Sequence, residues 1–297
     1  MRILLIKFLV KIFAGMPLAV CHFFGAAIGW LISLFPNKMR DVTQRNIELC
    51  FPALDAGQRK HLVHRSLIET GKTLVELGPI WLWPKQKVLS LVKGTSGEEY
   101  LIQAMQKGNG VILAAPHLGC WELLNYYCDD RLSMTSLYKP PRMVELEEFV
   151  HSSRQRFGAK LVPTNAQGVR TLYHTLSQGG LIGILPDQDP GNGSGVFAPF
   201  FGIPANTMTF VSRLVQKSHA TVIFAYAERL AGGAGYHIHF IPAEKEIEDK
   251  DLQTSVTALN LGVETCVRSL PEQYQWGYKR FKTRPDNEIG FYKKGRG

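Results

Sequence analysis

The segment Val111-Ile-Leu-Ala-Ala115 constrains the fold more than any other part of the chain. Every residue in it is apolar, so it cannot be a strand with one wet face. It is also too short for a core helix. Such a run is a strand buried on both faces, as in a parallel sheet covered by helices. From Leu91 onward, strand and helix signals alternate around it. Further strands are expected over 134–138, 160–162 and 181–185, with helices over 119–127, 144–157, 167–177 and 207–217. Strands over 221–227 and 236–241 flank the turn Ala231-Gly-Gly-Ala-Gly235, and a long helix covers 252–269. The pattern predicts an α/β fold: a mostly parallel sheet flanked by helices.

Ahead of that domain, residues 12–35 contain no Lys, Arg, Asp or Glu. A stretch of about 24 residues exceeds the ~20 that a helix needs to cross a bilayer. Gly15, Pro17, His22, Gly25 and Gly29 interrupt it. Basic residues flank it on both sides (Arg2, Lys7 and Lys11; Lys38, Arg40 and Arg45), so charge sets no orientation. The chain thus divides into an N-terminal membrane anchor, 1–36, with an anchoring helix, and an α/β domain, 37–297. A buried N-terminal hairpin is the plainer alternative. Residues 40–77 read as one helix. Pro79-Ile-Trp-Leu-Trp-Pro84 is either an interfacial segment or a core turn.

The net charge of +9 suits nucleic acid, anionic lipid or an acidic protein partner. No helix-turn-helix, RNA-recognition or zinc-finger pattern accompanies it, so nucleic acid is not the expected partner. The five cysteines form no CxxC pair, and reduced thiols are expected. The histidines have no H-E-x-x-H spacing, and neither a metal nor a cofactor is expected.

His117 follows the buried strand and Pro116, and Glu122 comes five residues later. On one straight helix they would sit about 140° apart. They can meet only if His117 lies in the loop and Glu122 in the first helical turn, beyond the carboxyl end of a strand, where open α/β sheets bind ligands. A histidine there can take the proton of an attacking hydroxyl, and a carboxylate can fix its tautomer. The bland account is a structural histidine near a glutamate.

Pro116-His-Leu-Gly-Cys-Trp-Glu122 resembles the H-x4-E motif of the lipid A biosynthesis late acyltransferases, within the glycerolipid acyltransferase group. Tyr138-Lys-Pro-Pro-Arg142, Arg154-Gln-Arg156, Leu185-Pro-Asp-Gln-Asp189, Val196-Phe-Ala-Pro-Phe-Phe-Gly202, Pro271-Glu-Gln-Tyr-Gln-Trp276 and Arg280-Phe-Lys-Thr-Arg-Pro285 resemble further family segments, in order. Cys120 stands where the family often has Asn, and Lys279 where it often has Arg. The resemblance implies a glycerolipid-acyltransferase-like fold at the cytoplasmic face of the bacterial inner membrane. It implies transfer of a fatty acyl chain from acyl carrier protein to a hydroxyl of a 3-hydroxyacyl chain on a lipid A precursor. His117 is then the general base and Glu122 its partner. Another lipid or glycolipid acceptor is the alternative.

The attack creates an oxyanion, for which Arg154 is the candidate donor, with Arg156 beside it as a substrate-binding residue. A solvated helix face, paired with Glu145, Glu147 and Glu148, is the other reading. Asp187 and Asp189 precede Gly191-Asn-Gly-Ser-Gly195 and are read as a mobile substrate loop, with a metal site or plain surface turn as alternatives. Arg280, with Lys279, Lys282, Arg284, Lys293, Lys294 and Arg296, is read as a cationic site for lipid phosphates or the carrier protein, or as a solvated tail.

Overall fold

The computed structural model describes residues 2–141, 143–191, 193–285 and 288–292. Arg142, Asn192, Lys293, Lys294 and Arg296 of the segments above lie outside the described residues. Four helices open the chain: α1 (Arg2–Ala14), α2 (Leu18–Leu34), α3 (Lys38–Cys50) and α4 (Ala56–Leu82). Then come α5 (Lys85–Leu89), β1 (Val92–Ser96), α6 (Glu98–Gln106), β2 (Val111–Ala114), α7 (Trp121–Leu132), β3 (Thr135–Tyr138), α8 (Glu147–Gln155) and β4 (Lys160–Pro163). The rest is α9 (Ala166–Ser177), β5 (Leu181–Ile184), a hairpin of β6 (Gly195–Phe200) and β7 (Ile203–Met208), α10 (Phe210–Ser218), β8 (Thr221–Arg229), β9 (Tyr236–Pro242) and α11 (Leu252–Ser269).

Seven strands form one sheet in the order β1-β9-β8-β2-β5-β3-β4. All neighbours are parallel except β8 and β9. The mostly parallel sheet flanked by helices is therefore as expected. Alternate residues of β2 and β5 feed two cores. Ile112, Ala114, Ile182 and Ile184 pack under α9, α10 and α11, while Val111, Leu113 and Leu181 pack under α6 and α7.

Local differences have local causes. The helix expected over 40–77 is two, because Pro52 lacks an amide donor and Asp55 starts a new helix through a capping box with Gln58. The helix expected from Thr207 begins at Phe210, because 203–208 pair with β6. Val92-Lys-Gly-Thr-Ser96 has no apolar alternation to mark it as β1 and is held by its pairing with β9.

The charge-free N-terminal stretch is not one helix. Gly15-Met-Pro17 separates α1 from α2. Among the described residues no single helix is long and apolar enough to cross a membrane, and α2 with α3 passes that test only as a pair bent by 83°. Instead, α2 lies against α4. A Cβ on Gly25 would stand 2.6 Å from Lys72 Cα and 2.8 Å from the Gly71 carbonyl oxygen; one on Gly29 would overlap the Leu67 carbonyl. The glycines that interrupt the apolar stretch are what lets two backbones touch. The outward faces stay exposed: Leu4, Leu5, Phe8 and Leu9 on α1; Phe23, Phe24, Trp30, Leu31 and Leu34 on α2.

Buried charge ties these helices to the sheet. Arg229 of β8 donates to Glu69 (2.8 Å) and Glu76 (2.8 Å) of α4, and Glu76 also accepts from Tyr236 (2.8 Å) and lies 3.2 Å from His22 of α2. Burial alone would raise the Glu76 carboxyl, but the Arg229 charge outweighs it and holds the group at about 2.

Candidate active site

The site lies where the two central parallel strands end. Ala114 of β2 pairs with Ile184 of β5, and three residues beyond each stand His117 and Asp187. Both strands leave through a proline, Pro116 and Pro186, which ends the ladder and turns the next residue across the sheet end. The His117 amide donates to Asp187 Oδ2 (2.9 Å), and the ring Nδ1 donates to Oδ1 (2.7 Å). The C-terminal segment supports this loop. Gln275 N donates to the His117 carbonyl (3.0 Å), Gly119 N to the Gln273 carbonyl (3.2 Å) and Cys120 N to the Ala227 carbonyl (2.8 Å). Gly119, at φ 61°, lies so close to Ala227 that a side chain would overlap its carbonyl.

An ionised carboxylate only accepts hydrogen bonds, so Nδ1 carries a proton, and in the neutral ring the lone pair is on Nε2. Nε2 faces the amide of Gln188 at 3.2 Å. Burial alone would raise the Asp187 carboxyl, but the charge and hydrogen bonds of His117 win and hold it below its ordinary value. Asp187 is thus ionised and oriented, the partner a general-base histidine needs.

Glu122 is where the sequence places it, in the first turn of α7 and in the same cavity, but its hydrogen bonds go elsewhere. Its oxygens accept from Arg154 Nε (3.0 Å) and Nη2 and from Trp81 Nε1 (3.1 Å). The expected His117–Glu122 hydrogen bond is replaced by His117–Asp187. The physical reason is strand order: β5 lies beside β2 and offers a carboxylate level with the imidazole, while α7 carries Glu122 toward α4 and α8. Burial would raise Glu122, yet Arg154 more than offsets this and lowers it.

Sheet and helices enclose a cavity of about 510 Å³ reaching His117, Glu122, Arg154, Gln188 and Asp189. Its walls are largely apolar, with Leu113, Trp121, Leu124, Met134, Leu161 and Leu185 among them. Arg154 lines it. Arg156 is not among the lining residues; its guanidinium donates to the carbonyls of Trp81 and Trp83 (3.0 Å to the latter) at the end of α4. The Pro79–Pro84 segment is the last turn of α4 and its cap, with Trp81 and Trp83 buried. Asp189 touches the cavity but spends its carboxylate on Gly191 N (2.8 Å), Asn206 Nδ2 (3.1 Å) and Thr283 N (3.2 Å), which orders its loop. Arg280 is buried against Phe200 and donates to Asn206 O and Thr207 Oγ1 (2.7 Å each), so it bolts the β6–β7 hairpin in place and presents no cationic site. The thiol of Cys120, next to the site, is pushed well above its ordinary value by burial and then by Glu76, so it is no nucleophile.

Sequence reasoning gave Asp187 a loop role and Gln188 none. The signal for Asp187 was present: Val111-Ile-Leu-Ala-Ala-Pro-His117 and Leu181-Ile-Gly-Ile-Leu-Pro-Asp187 share one spacing of apolar run, proline and polar residue.

Residues 2–283 match the family model described as bacterial lipid A biosynthesis acyltransferase. The chain belongs to this family. It is similar to the lipid A biosynthesis lauroyltransferase of Escherichia coli K12, 27% identical over 91% of this chain and 88% of that one. It is 29% identical to the palmitoleoyltransferase of the same strain, over 93% of this chain and 90% of that one. With the myristoyltransferase it shares 25% over 84% and 77%. The lipid A acyltransferase family makes this chain an acyltransferase, with the His117–Asp187 pair at the end of its central strands.

Proposed function

We propose that the enzyme moves a fatty acyl chain from acyl carrier protein to a hydroxyl of a 3-hydroxyacyl chain on a lipid A precursor. The observation that carries this reading is a histidine whose Nδ1 is held by an ionised carboxylate while Nε2 opens on a largely apolar cavity. The acceptor hydroxyl displaces Gln188 from Nε2 and gives up its proton there. Its oxygen attacks the thioester carbonyl, the carbon–sulfur bond breaks, and the departing thiolate takes the proton back from the imidazolium. Asp187 stabilises that imidazolium. Arg154, steadied by Glu122, is the cation for the transient oxyanion. Glu122 thus supports the reaction through Arg154 rather than through His117.

The same reading covers the membrane. Helix α1 has 13 residues and α2 has 17, so they measure about 20 and 26 Å against a ~30 Å hydrocarbon core. With one face on α4 and the other exposed and apolar, the pair suits insertion into the cytoplasmic leaflet of the inner membrane, with Lys7 and Lys11 on α1 near acidic headgroups. Lys139, at the cavity, suits an acidic carrier or a lipid phosphate.

The test is transfer from acyl carrier protein to a lipid A precursor by folded variants. His117→Ala and Asp187→Asn are each expected to lose about a hundredfold to ten-thousandfold in kcat/KM. A His117→Ala enzyme that keeps its rate removes the general base. Full activity in Asp187→Asn, with loss confined to Glu122→Gln, returns Glu122 as the imidazole's partner.

A further inference from the structure

Below His117, strand register orders the lining of the cavity by depth. Leu113 of β2, Gly183 of β5, Ser136 of β3 and Leu161 of β4 stand side by side in one row. Two residues nearer His117, on the same face, follow Ala115, Leu185 and Tyr138. The lining residue from the row below is Met134, just ahead of β3 and 3% exposed. Its side chain lies over β5. A Cβ at Gly183 would meet Met134 Sδ at 3.0 Å and Cε at 3.2 Å, so the thioether occupies the place a side chain at 183 would take. Helix α7 forms the opposite wall with Trp121, Leu124 and Asn125, and Ser136 Oγ donates to Asn125 Oδ1 (2.7 Å), which fastens that wall to the floor. From Tyr138 to Met134 the strand covers four residues, about 13 Å.

We propose that Met134, resting on Gly183, is the stop against which the methyl end of the donor acyl chain lies, and so sets the chain length transferred. The inference rests on the acyl-transfer reading. A largely apolar cavity whose lining ends at Met134 fits an unbranched chain whose carbonyl sits at the mouth by His117. That is the donor: the acceptor hydroxyl lies within a chain already joined to a bulky headgroup, and enters from outside. A methionine floor is unbranched and can be shortened without disturbing the sheet.

The experiment measures kcat/KM of the full-length enzyme for a series of acyl carrier protein thioesters of increasing chain length. Circular dichroism melts of each variant establish folding. Met134→Ala is expected to shift the optimum to longer chains, raising the ratio for a longer donor over the wild-type optimum about tenfold or more. Gly183→Ala pushes the thioether into the cavity and is expected to shift the optimum to shorter chains. The two variants move in opposite directions, so either one that folds is a test. A folded variant that keeps the wild-type ranking of donors overturns the assignment of Met134 while leaving acyl transfer intact. A wild-type enzyme that transfers no chain from any donor overturns the acyl-transfer reading, and this inference with it.

Discussion

A single rule of donors and acceptors sets the chemistry of His117. Because Asp187 can only accept, Nδ1 carries the ring proton that faces it, and Nε2 is the nitrogen turned toward the cavity and Gln188. The opposite case is Asp129 in α7. Its Oδ2 is buried with no hydrogen-bond partner among the described residues, and burial raises the carboxyl to about 6. Here the folded pKa lies above the ordinary value, so the folded form holds the proton more tightly. The ionised group therefore costs stability as pH rises through about 6, and costs nothing once both states are protonated in acid. Asp129→Asn keeps the shape of the side chain and removes its charge. It is expected to raise Tm above pH 6 and to leave it nearly unchanged in acid. Melting curves across that range are the check, and a lower Tm at neutral pH refutes the account.

Between elements, the contact of α2 with α4 rests on absent side chains. Replacing a helical glycine by alanine ordinarily gains about 1 kcal/mol of helix propensity. At Gly29 the neighbours are the Leu67 carbonyl and Ile68 Cα, backbone atoms that cannot rotate away. Overpacking of this kind costs about 1–3 kcal/mol, so the clash wins. Gly29→Ala should lower Tm, whereas Gly57→Ala, whose nearest neighbour is the Asp55 side chain, should not. Equal Tm values for the two variants would contradict the packing. The same logic of close approach governs Gly119, which lets the loop that carries His117 lie on β8.

As a whole, the molecule has most of its exposed large apolar side chains on α1 and α2, and its candidate site lies in a cavity at the end of the sheet. Arg229 joins the two through Glu69 and Glu76, and breaking such a buried cluster costs about 3–5 kcal/mol. The exposed faces of α1 and α2 are the part of this architecture that water does not favour. Each acidic residue placed in a hydrocarbon layer costs about 3 kcal/mol. The double variant Phe8→Glu, Phe23→Glu is therefore expected to move the protein from the membrane to the soluble fraction. Its activity on detergent-dispersed substrate should persist, because both side chains point outward. Continued sedimentation with membranes would mean that another surface holds the protein there.

Much of this was legible in the chain itself. Apolar runs without a polar face revealed the central strands, and the alternation of periods revealed the fold class, because both depend on neighbours a few residues apart. The position of His117 after such a run pointed to the site. What the chain did not disclose were pairings between distant segments. Asp187 meets His117 across 70 residues only because β5 lies beside β2 in register. Arg156 and Arg280 look like ligand-binding cations until the fold turns their guanidinium groups onto backbone carbonyls. Glu122 looks like the hydrogen-bond partner of His117 until α7 turns it toward Arg154 and Trp81. Local sequence determines which elements form. Which carboxylate faces the imidazole, and where the cavity ends, is decided by strand order and close packing, which only the tertiary structure supplies.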